Sequence, residues 1–250
     1  LLGVHQLGLN NYEINKVNTA IARPYGMILV SGPTGSGKTV TLAASLGVLN
    51  KPEVNIVTIE DPIEYELRYV NQTQTNPKAG INFANGLRSI LRQDPDIIMV
   101  GEVRDSETAE LAVQASLTGH LVFSTLHTNS AAGALPRLID MGIEPFLLSS
   151  SMILVMGQRV VRKINEEYRE TYQPDPTVIE DIKNVLGKHL NDWCTQHNTT
   201  IDQIKLYRAN EDRPQTEPEY KGRIGIFEVL EVNDKIKQLI NKAATSDELE

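Results

Sequence analysis

The sequence is poor in cysteine, in aromatic residues and in long apolar runs. Its single cysteine cannot form an internal disulfide, so nothing in the chain requires an oxidising compartment. The richest apolar stretch, Phe146–Met156, is interrupted by three serines. It is too short to span a bilayer, which needs about 20 apolar residues. The first residues, LLGVHQLGLNN, lack the basic segment and cleavage site of a signal peptide. These absences predict a cytoplasmic protein.

Basic residues are outnumbered by acidic ones. The 250 residues include 24 lysines and arginines and 32 aspartates and glutamates, which gives a formal net charge of −8. Proteins that hold nucleic acid through its phosphates usually carry a basic footprint. The charge therefore disfavours a specific nucleic-acid partner. The hydrophobic fraction of 40% is ordinary for a globular chain and excludes a disordered tail.

Short apolar runs alternate with helix-like segments from Met27 to about Met141. The pattern predicts strands at 27–30, 54–59, 97–100 and 121–124. It predicts helices at 10–22, 41–50, 82–92 and 106–117. This alternation is typical of an α/β fold in which a mostly parallel sheet is flanked by helices.

The character of the sequence changes after Arg162. Residues 165–219 hold four prolines, the only tryptophan and the only cysteine. We expect a small inserted module there, packed around Ile179, Ile182, Leu186, Leu190 and Trp193. Strand-like alternation returns at 221–230, followed by a helix at 234–242. The predicted domains are a core at 1–164, the inserted module at 165–219, and a return to the core at 220–250.

One segment carries a specific chemical signature. Residues 32–39, GPTGSGKT, match the phosphate-loop pattern G-x-x-x-x-G-K-[ST] and stand between a predicted strand and a predicted helix. Such a loop aims its backbone N–H groups at phosphate oxygens, and its glycines leave room for that approach. We expect Lys38 to reach the β- and γ-phosphates of ATP and the Thr39 hydroxyl to ligate Mg²⁺. The predicted nucleotide-binding residues are Gly32, Pro33, Thr34, Gly35, Ser36, Gly37, Lys38 and Thr39.

Acidic residues follow two of the predicted strands. Glu102 comes just after the strand 97–100, and Glu60, Asp61 and Glu64 cluster at the end of the strand 54–59. Ligands of open α/β folds collect at the carboxyl edge of the sheet. ATP hydrolysis needs an acid for the metal and a carboxylate that orients the attacking water. Taken singly, each of these acids is equally compatible with a solvated loop carboxylate.

Two histidines, His120 and His127, flank the predicted strand 121–124. Their spacing is not H-E-x-x-H and no cysteine lies nearby, so a metal site is not expected there. A histidine at a strand end could instead sense the γ-phosphate. Arg88, Arg92 and Arg104 are compatible either with surface ion pairs or with contacts to phosphate or to a neighbouring subunit.

Together these segments resemble the secretion traffic ATPases of type II secretion and type IV pilus assembly. Six segments carry the resemblance: GPTGSGKT (32–39), TIEDPIEY (58–65), LRSILRQDPDIIMVGEVRD (87–105), SLTGHLVFSTLHTN (116–129), MGIEPFLLSSS (141–151) and YKGRIGIFEVL (220–230). The resemblance implies a RecA-like P-loop NTPase fold. It also implies the motor domain of a hexameric ATPase that powers pseudopilus or pilus assembly.

The resemblance also implies roles for individual residues. Glu102 becomes the acid that works on Mg²⁺ together with Thr39, and Glu64 becomes the carboxylate that activates water. His120 and His127 match the two histidines of the family's His box. The catalytic candidates are therefore Glu64, Glu102, Lys38 and His127. The nucleotide-binding candidates outside the loop are Glu60, Asp61 and His120.

Partners and location follow from the same resemblance. The family implies a homo-hexamer that meets an inner-membrane platform and cytoplasmic adaptor proteins through an upstream region. That upstream region would also supply arginines to a neighbour's nucleotide. We expect a cytoplasmic protein that is peripheral at the inner face of the membrane when assembled. The abrupt first and last residues predict a fragment of a longer protein.

The module departs from the family pattern. Extension-type members place two zinc-binding C-x-x-C pairs between the His box and YKGR. The corresponding positions here are Asn165, Tyr168, Asp212 and Gln215, and Cys194 lies elsewhere. Because these positions offer no thiolate, zinc is not expected.

Other functions compete with the ATPase motor. A small-molecule kinase would need an Arg-rich lid and a GTPase would need N-K-x-D, and the sequence shows neither. A non-hydrolysing ATP-binding scaffold is disfavoured by Glu64 and Glu102, and a DNA-translocating motor by the net charge. The segments QASLTGH and DMGIEPFLLSSS favour type II secretion, but type IV pilus assembly stays open.

Overall fold

The computed structural model describes residues 2–196 and 198–249. These residues form two compact units, one from Leu1–Val160 with Gly225–Glu250 and one from Val161–Ile224. The predicted module at 165–219 falls inside the second unit. No helix in the described part of the chain is both long enough and apolar enough to cross a membrane.

The strands comprise one seven-stranded sheet and one two-stranded sheet. In chain order they are β1 Gly26–Ser31, β2 Ile56–Glu60, β3 Val70–Gln74, β4 Ile97–Val100, β5 Leu121–Leu126, β6 Met152–Ile164, β7 Arg169–Tyr172, β8 Leu206–Ala209 and β9 Tyr220–Glu231. The large sheet has the order β3-β2-β4-β5-β1-β6-β9. The pairs from β3 through to β6 are parallel.

The described residues also form ten α-helices and four short 3₁₀ helices. The α-helices are α1 Asn11–Ile21, α2 Lys38–Leu49, α3 Phe83–Ile90, α4 Ser106–Leu117, α5 Ala134–Asp140, α6 Pro145–Ser151, α7 Pro176–Leu186, α8 Lys188–Gln196, α9 Asp234–Asn241 and α10 Ser246–Leu249. The 3₁₀ helices are Val4–Gln6, Pro77–Ala79, Glu166–Tyr168 and Ile201–Gln203.

Side-chain caps fix the starts of several helices where the sequence predicts them. Asn10 Oδ1 accepts from Glu13 N at 2.9 Å, and Glu13 Oε2 accepts from Asn10 N at 2.8 Å, which together form a capping box. Asp105 Oδ1 accepts from Thr108 N at 2.8 Å and starts α4 directly after the acidic strand end of β4.

The central strands β1, β2, β4 and β5 of the large sheet are buried on both faces, as their apolar runs predict. Along β1, Met27 and Leu29 belong to one hydrophobic cluster, and Ile28 and Val30 belong to the other. Successive side chains of a strand point to opposite faces, so the two clusters lie on the two sides of the sheet. A parallel sheet covered on both faces is the arrangement that the alternation of strands and helices predicts.

Four strands, β3, β6, β7 and β8, were not predicted from the sequence. The edge strand β3 was not predicted because its sequence, VNQTQ, is polar and only partly buried. The apolar stretch 146–156 is divided between two elements, since α6 ends at Ser151 and β6 begins at Met152.

The second unit has its own small core. Leu190, Cys194 and Ile204 are buried there, with Ile179 and Ile182 packed against them. Leu186 and Trp193, which were predicted to share this core, are each 42% exposed, and that prediction is wrong. The helix is interrupted between α7 and α8 at Gly187, whose φ angle is +50°. Residues before and after Gly187 therefore do not share one helical face.

Candidate active site

Parallel strand ends bring the candidate residues together. β1, β2, β4 and β5 end at the same edge of the sheet and lead into Gly32, Asp61, Gly101 and His127. Backbone hydrogen bonds also join the segments that follow these strand ends. Gly32 N donates to Leu126 O at 3.3 Å, Gly101 N to Ile59 O at 2.8 Å, and Val103 N to Thr125 O at 2.9 Å.

The phosphate loop lies between β1 and the 12-residue helix α2. Gly35 and Gly37 have φ angles of +76° and +83°, which L side chains rarely adopt. Lys38 is the first residue of α2 and is only 9% exposed. Its Nζ donates to Gly32 O at 2.8 Å and to Pro33 O at 3.1 Å. Burial lowers the pKa of Lys38, and the charge of Glu102 partly opposes that shift.

Glu102 is the centre of a small charged cluster beside the loop. Its side chain is only 13% exposed and pairs with Arg104, and its Oε2 lies 3.4 Å from His127 Nε2. Arg104 Nη1 lies 3.9 Å from Asp61 Oδ2. The hydrogen bond to Glu102 raises the pKa of Arg104. The cluster therefore joins residues from the ends of β2, β4 and β5.

Glu60 is held beneath this edge as the last residue of β2. It is only 4% exposed. Its Oε1 accepts from Thr58 Oγ1 at 2.7 Å and from Gln72 Nε2 at 2.8 Å. Gln72 belongs to β3, so the unpredicted edge strand holds this carboxylate in place.

Glu64 stands apart from the charged cluster. It is exposed in the connection between β2 and β3. Within the part of the chain that the structure describes, its carboxylate forms no hydrogen bond. Its assignment as the water-activating base stays a prediction.

The two histidines lie at opposite ends of β5. His127 follows the carboxyl end, beside Glu102. His120 precedes the amino end, where its Nδ1 lies 3.0 Å from Ala115 O and its carbonyl accepts from Gly26 N at 3.1 Å. At about 3.3 Å per residue, the intervening strand separates them by roughly 20 Å. His120 thus lies away from the phosphate loop, and its assignment as a nucleotide-binding residue stays a prediction.

The three candidate arginines differ in their contacts. Arg104 belongs to the charged cluster, whereas Arg88 Nη2 pairs with Glu107 Oε1 at 2.6 Å between α3 and α4. Arg92 is exposed immediately after α3. Of the two uses predicted for these arginines, a surface ion pair or a contact with phosphate or a neighbouring subunit, Arg88 shows the surface ion pair.

Sequence reasoning missed two groups near the loop. Ser31 Oγ is buried and contacts Thr128 Oγ1, which ties the end of β1 to the segment after His127. Gln158 on β6 contacts the loop from the far side, with its backbone O and its side-chain amide facing Gly32 and Gly37. Neither residue belongs to a recognisable motif, and both contacts join residues about a hundred positions apart in the chain.

The donors around the loop suit a magnesium-bound nucleotide. Mg²⁺ prefers oxygen ligands, and the Thr39 hydroxyl and the Glu102 carboxylate are the predicted ones. Ser36 Oγ is buried in the loop without a hydrogen-bond partner among the described residues, which leaves a donor available to a ligand. In residues 2–196 and 198–249, the loop region included, no group of three or more His, Cys, Asp and Glu side chains is arranged to hold a metal.

Comparison with known proteins places the whole chain in one family. The family model described as Type II/IV secretion system protein matches residues 1–250. The chain belongs to this family. The resemblance inferred from the six sequence segments is confirmed.

Relatives in the type II/IV secretion family are similar over the full chain. "Type II secretion system ATPase E" of Vibrio cholerae is 48% identical over 249 residues, covering 100% of this chain and 47% of that protein. "Type II secretion system protein E" of Pseudomonas aeruginosa is 48% identical over 251 residues, covering 99% of this chain and 47% of that protein. The chain therefore spans about half the length of the curated relatives it matches.

Solved structures of a pilus retraction motor and of a bacterial ATPase share the fold. The pilus retraction motor PilT with bound ADP has a TM-score of 0.67 and 31% identity, and covers 97% of this chain and 56% of its own. The Legionella pneumophila ATPase DotB has a TM-score of 0.65 and 23% identity over 99% of this chain and 55% of its own. The predicted RecA-like α/β fold, with a mostly parallel sheet flanked by helices, is confirmed.

Proposed function

We propose that this chain is the motor domain of an ATPase, which binds ATP at the loop Gly32–Thr39 and hydrolyses it. The observation that carries the proposal is the juxtaposition of Lys38 and Glu102. Lys38 follows β1 and Glu102 follows β4, two strands that end at the same edge of the sheet. The charge of Glu102 also opposes the lowering of the pKa of Lys38. A phosphate-binding cation beside a metal-binding acid is the pairing that nucleotide hydrolysis uses.

Binding of the phosphates relies on the start of α2. The first N–H groups of a helix have no partner within the helix, and the helix dipole favours an anion there. The Lys38 ammonium already lies at the loop carbonyls of Gly32 and Pro33. In the complex it exchanges these carbonyls for the β- and γ-phosphate oxygens, and so provides their countercharge.

The acids divide the remaining work. Thr39 and Glu102 would hold Mg²⁺, which when bound neutralises charge on the phosphate oxygens. Arg104 and His127 hold the Glu102 carboxylate in position. Glu64 accepts the proton of the attacking water, and its exposed carboxylate has no competing hydrogen bond among the described residues. Glu60 supports the edge on which Asp61 and the Glu64 connection are mounted.

We further propose that the motor serves type II secretion. The curated relatives at 48% identity carry that name, whereas the structurally similar pilus retraction motor is 31% identical. In this proposal six copies form a ring in the cytoplasm, peripheral at the inner face of the membrane. The ring meets an inner-membrane platform and cytoplasmic adaptor proteins through regions outside this chain.

The decisive experiment measures nucleotide binding and phosphate release for wild type, Lys38→Ala and Lys51→Ala. Lys38→Ala removes the countercharge and is expected to abolish productive ATP binding. Lys51→Ala is the matched control, because Lys51 is exposed just after the end of α2. If Lys38→Ala binds and turns over ATP like wild type, the assignment of the loop is wrong.

A further inference from the structure

Gln158 lies beside the phosphate loop although it is 120 residues beyond Lys38 in the sequence. It belongs to β6, the strand that pairs with β1 on the side opposite β5. Ser31, the last residue of β1, is in register with Gly157. Gln158 is therefore level with Gly32, where the loop begins. Its side chain is buried, with the residue only 5% exposed.

Both ends of the loop contact this one residue. A Cβ on Gly32 would lie 2.3 Å from Gln158 O, so only glycine fits where the loop leaves β1. A Cβ on Gly37 would lie 3.1 Å from Gln158 Nε2, so the amide group also faces the last glycine of the loop. The residue thus borders the loop at its entry and at its exit.

The amide of Gln158 is also fixed to the first turn of α2. Gln158 Oε1 accepts from Thr41 Oγ1 at 2.8 Å, and Thr41 is only 1% exposed. Thr41 N in turn donates to Gly37 O at 3.1 Å. Through Thr41, Gln158 sets the position of the helix start relative to the sheet. That start carries the N–H groups that face a bound phosphate.

We propose that Gln158 is a positioning residue for nucleotide binding, which holds the phosphate loop in its binding conformation through Thr41 and Gly37. A glycine-rich loop has many accessible conformations, and a ligand must offset the cost of ordering it. A buried hydrogen bond that orders the loop beforehand reduces this cost. The inference rests on the proposed nucleotide-binding function of the loop.

The test replaces the amide by an apolar side chain of similar length in Gln158→Met. We expect the dissociation constant for ADP to rise about five- to tenfold, the effect of losing one side-chain hydrogen bond. The KM for ATP should rise by a similar factor, while kcat changes less than about twofold. The variant weakens the binding of the substrate and of the transition state equally, so the barrier between them hardly changes.

Variants of the partner sharpen the test. Thr41→Val removes the donor at nearly constant shape and should weaken ADP binding by the same factor as Gln158→Met. Thr41→Ser keeps the hydroxyl and should recover most of that affinity. The double variant should be no weaker than either single variant, because both remove the same interaction.

Ser151→Ala is the matched control for a merely structural effect. Ser151 is 1% exposed and donates to Leu148 O at 3.1 Å, immediately before β6 and at the end of the strand away from the loop. The Ser151→Ala variant loses a comparable buried hydrogen bond. The melting temperature of this variant should therefore fall, while its affinity for ADP stays unchanged.

A nucleotide-free measurement separates this inference from the proposed function. Hydrogen exchange of the amides in 32–41 should be faster in Gln158→Met than in wild type or Ser151→Ala. The positioning role is overturned if Gln158→Met exchanges these amides no faster than wild type does. It is also overturned if Gln158→Met exchanges them faster but binds ADP as tightly as wild type, provided that wild type binds ADP. If wild type binds no ADP, the proposed function fails, and the exchange rates alone decide whether Gln158 orders the loop.

Discussion

Lys38 lies inside the phosphate loop with its ammonium at two backbone carbonyls, and burial lowers its pKa. In the unfolded chain a lysine keeps its proton up to about pH 10.4. Between the lowered pKa and this value the unfolded chain binds more protons, so the folded chain becomes more stable as pH rises. Below this window, the charge on Lys38 costs stability in the nucleotide-free protein.

We therefore expect Lys38→Met to be more stable than wild type at pH 7 without nucleotide. A gain of about 1 kcal/mol corresponds to a melting temperature roughly 2–4 °C higher for a chain of this size. The difference should narrow as pH approaches 10, and the exposed Lys51→Met should show neither effect. A lower melting temperature for Lys38→Met at pH 7 would show that the two hydrogen bonds to carbonyls outweigh the cost of burial.

The two acids proposed for catalysis should respond differently to amide substitution. Glu64→Gln keeps shape and hydrogen bonding but loses the base, so ATP and Mg²⁺ should still bind while turnover falls by about 10²–10⁴. Glu102→Gln should instead weaken the dependence of ATP binding on Mg²⁺. Binding titrations with and without Mg²⁺, paired with phosphate release, distinguish the two. If only Glu102→Gln stops turnover, the roles have been assigned backwards.

The inserted module shows how a small unit is held together by its own elements. Its two strands β7 and β8 pair in an antiparallel ladder. Arg169 lies over the Tyr207 ring at 4.4 Å, and Arg208 lies over the Tyr172 ring at 5.3 Å. Such exposed cation–π pairs contribute about 0.5–1 kcal/mol each. The buried group of Leu190, Cys194 and Ile204 supplies the apolar part.

We predict that this module folds without zinc. A structural zinc on thiolates contributes roughly 10–16 kcal/mol, so a zinc-dependent module would unfold on chelation. Chelation should leave the melting curve unchanged, and metal analysis should find no stoichiometric zinc. As a positive control, Leu190→Ala should destabilise the module by about 2–5 kcal/mol, because it empties the centre of the small core. Stoichiometric zinc that can be removed only by unfolding would refute the prediction.

At the scale of the whole molecule, the chain carries a phosphate loop, a proposed metal-binding acid and a candidate base, but it spans about half the length of its curated relatives. Arginines supplied by a neighbouring subunit raise phosphoryl-transfer rates by about 10³–10⁵. We predict that residues 1–250 bind ATP but hydrolyse it slowly in dilute solution. Specific activity should rise with protein concentration, or when the chain is fused to a hexameric template.

Sedimentation and phosphate release across one concentration series test this prediction. The two curves should rise together if assembly completes the site. A monomer that hydrolyses ATP as fast as the full-length protein would mean that all catalytic groups lie within residues 1–250. The contribution from a neighbour would then fail, while the assignment of the loop would stand.

Local sequence patterns were sufficient for a fully buried strand and for an amphipathic helix. The strand 97–100 and the helix 106–117 are predicted with the bounds that the structure shows, because an apolar run and an Asp cap each mark their ends. β3 escaped prediction because an edge strand needs no apolar run. Leu186 and Trp193 were wrongly assigned to the core of the module because the apolar spacing gives no sign of the helix break at Gly187.

The sequence by itself determined the chemistry of the phosphate loop, since the spacing of its glycines and Lys38 allows few other uses. It also determined the parallel sheet, through the order of its apolar runs. Only the tertiary structure decided which side chains meet. The register of β5 places His127 at the loop and His120 at the opposite edge. The pairing of β1 with β6 brings Gln158 to Thr41 across 117 residues. Such contacts depend on strand order and register, which no local pattern records.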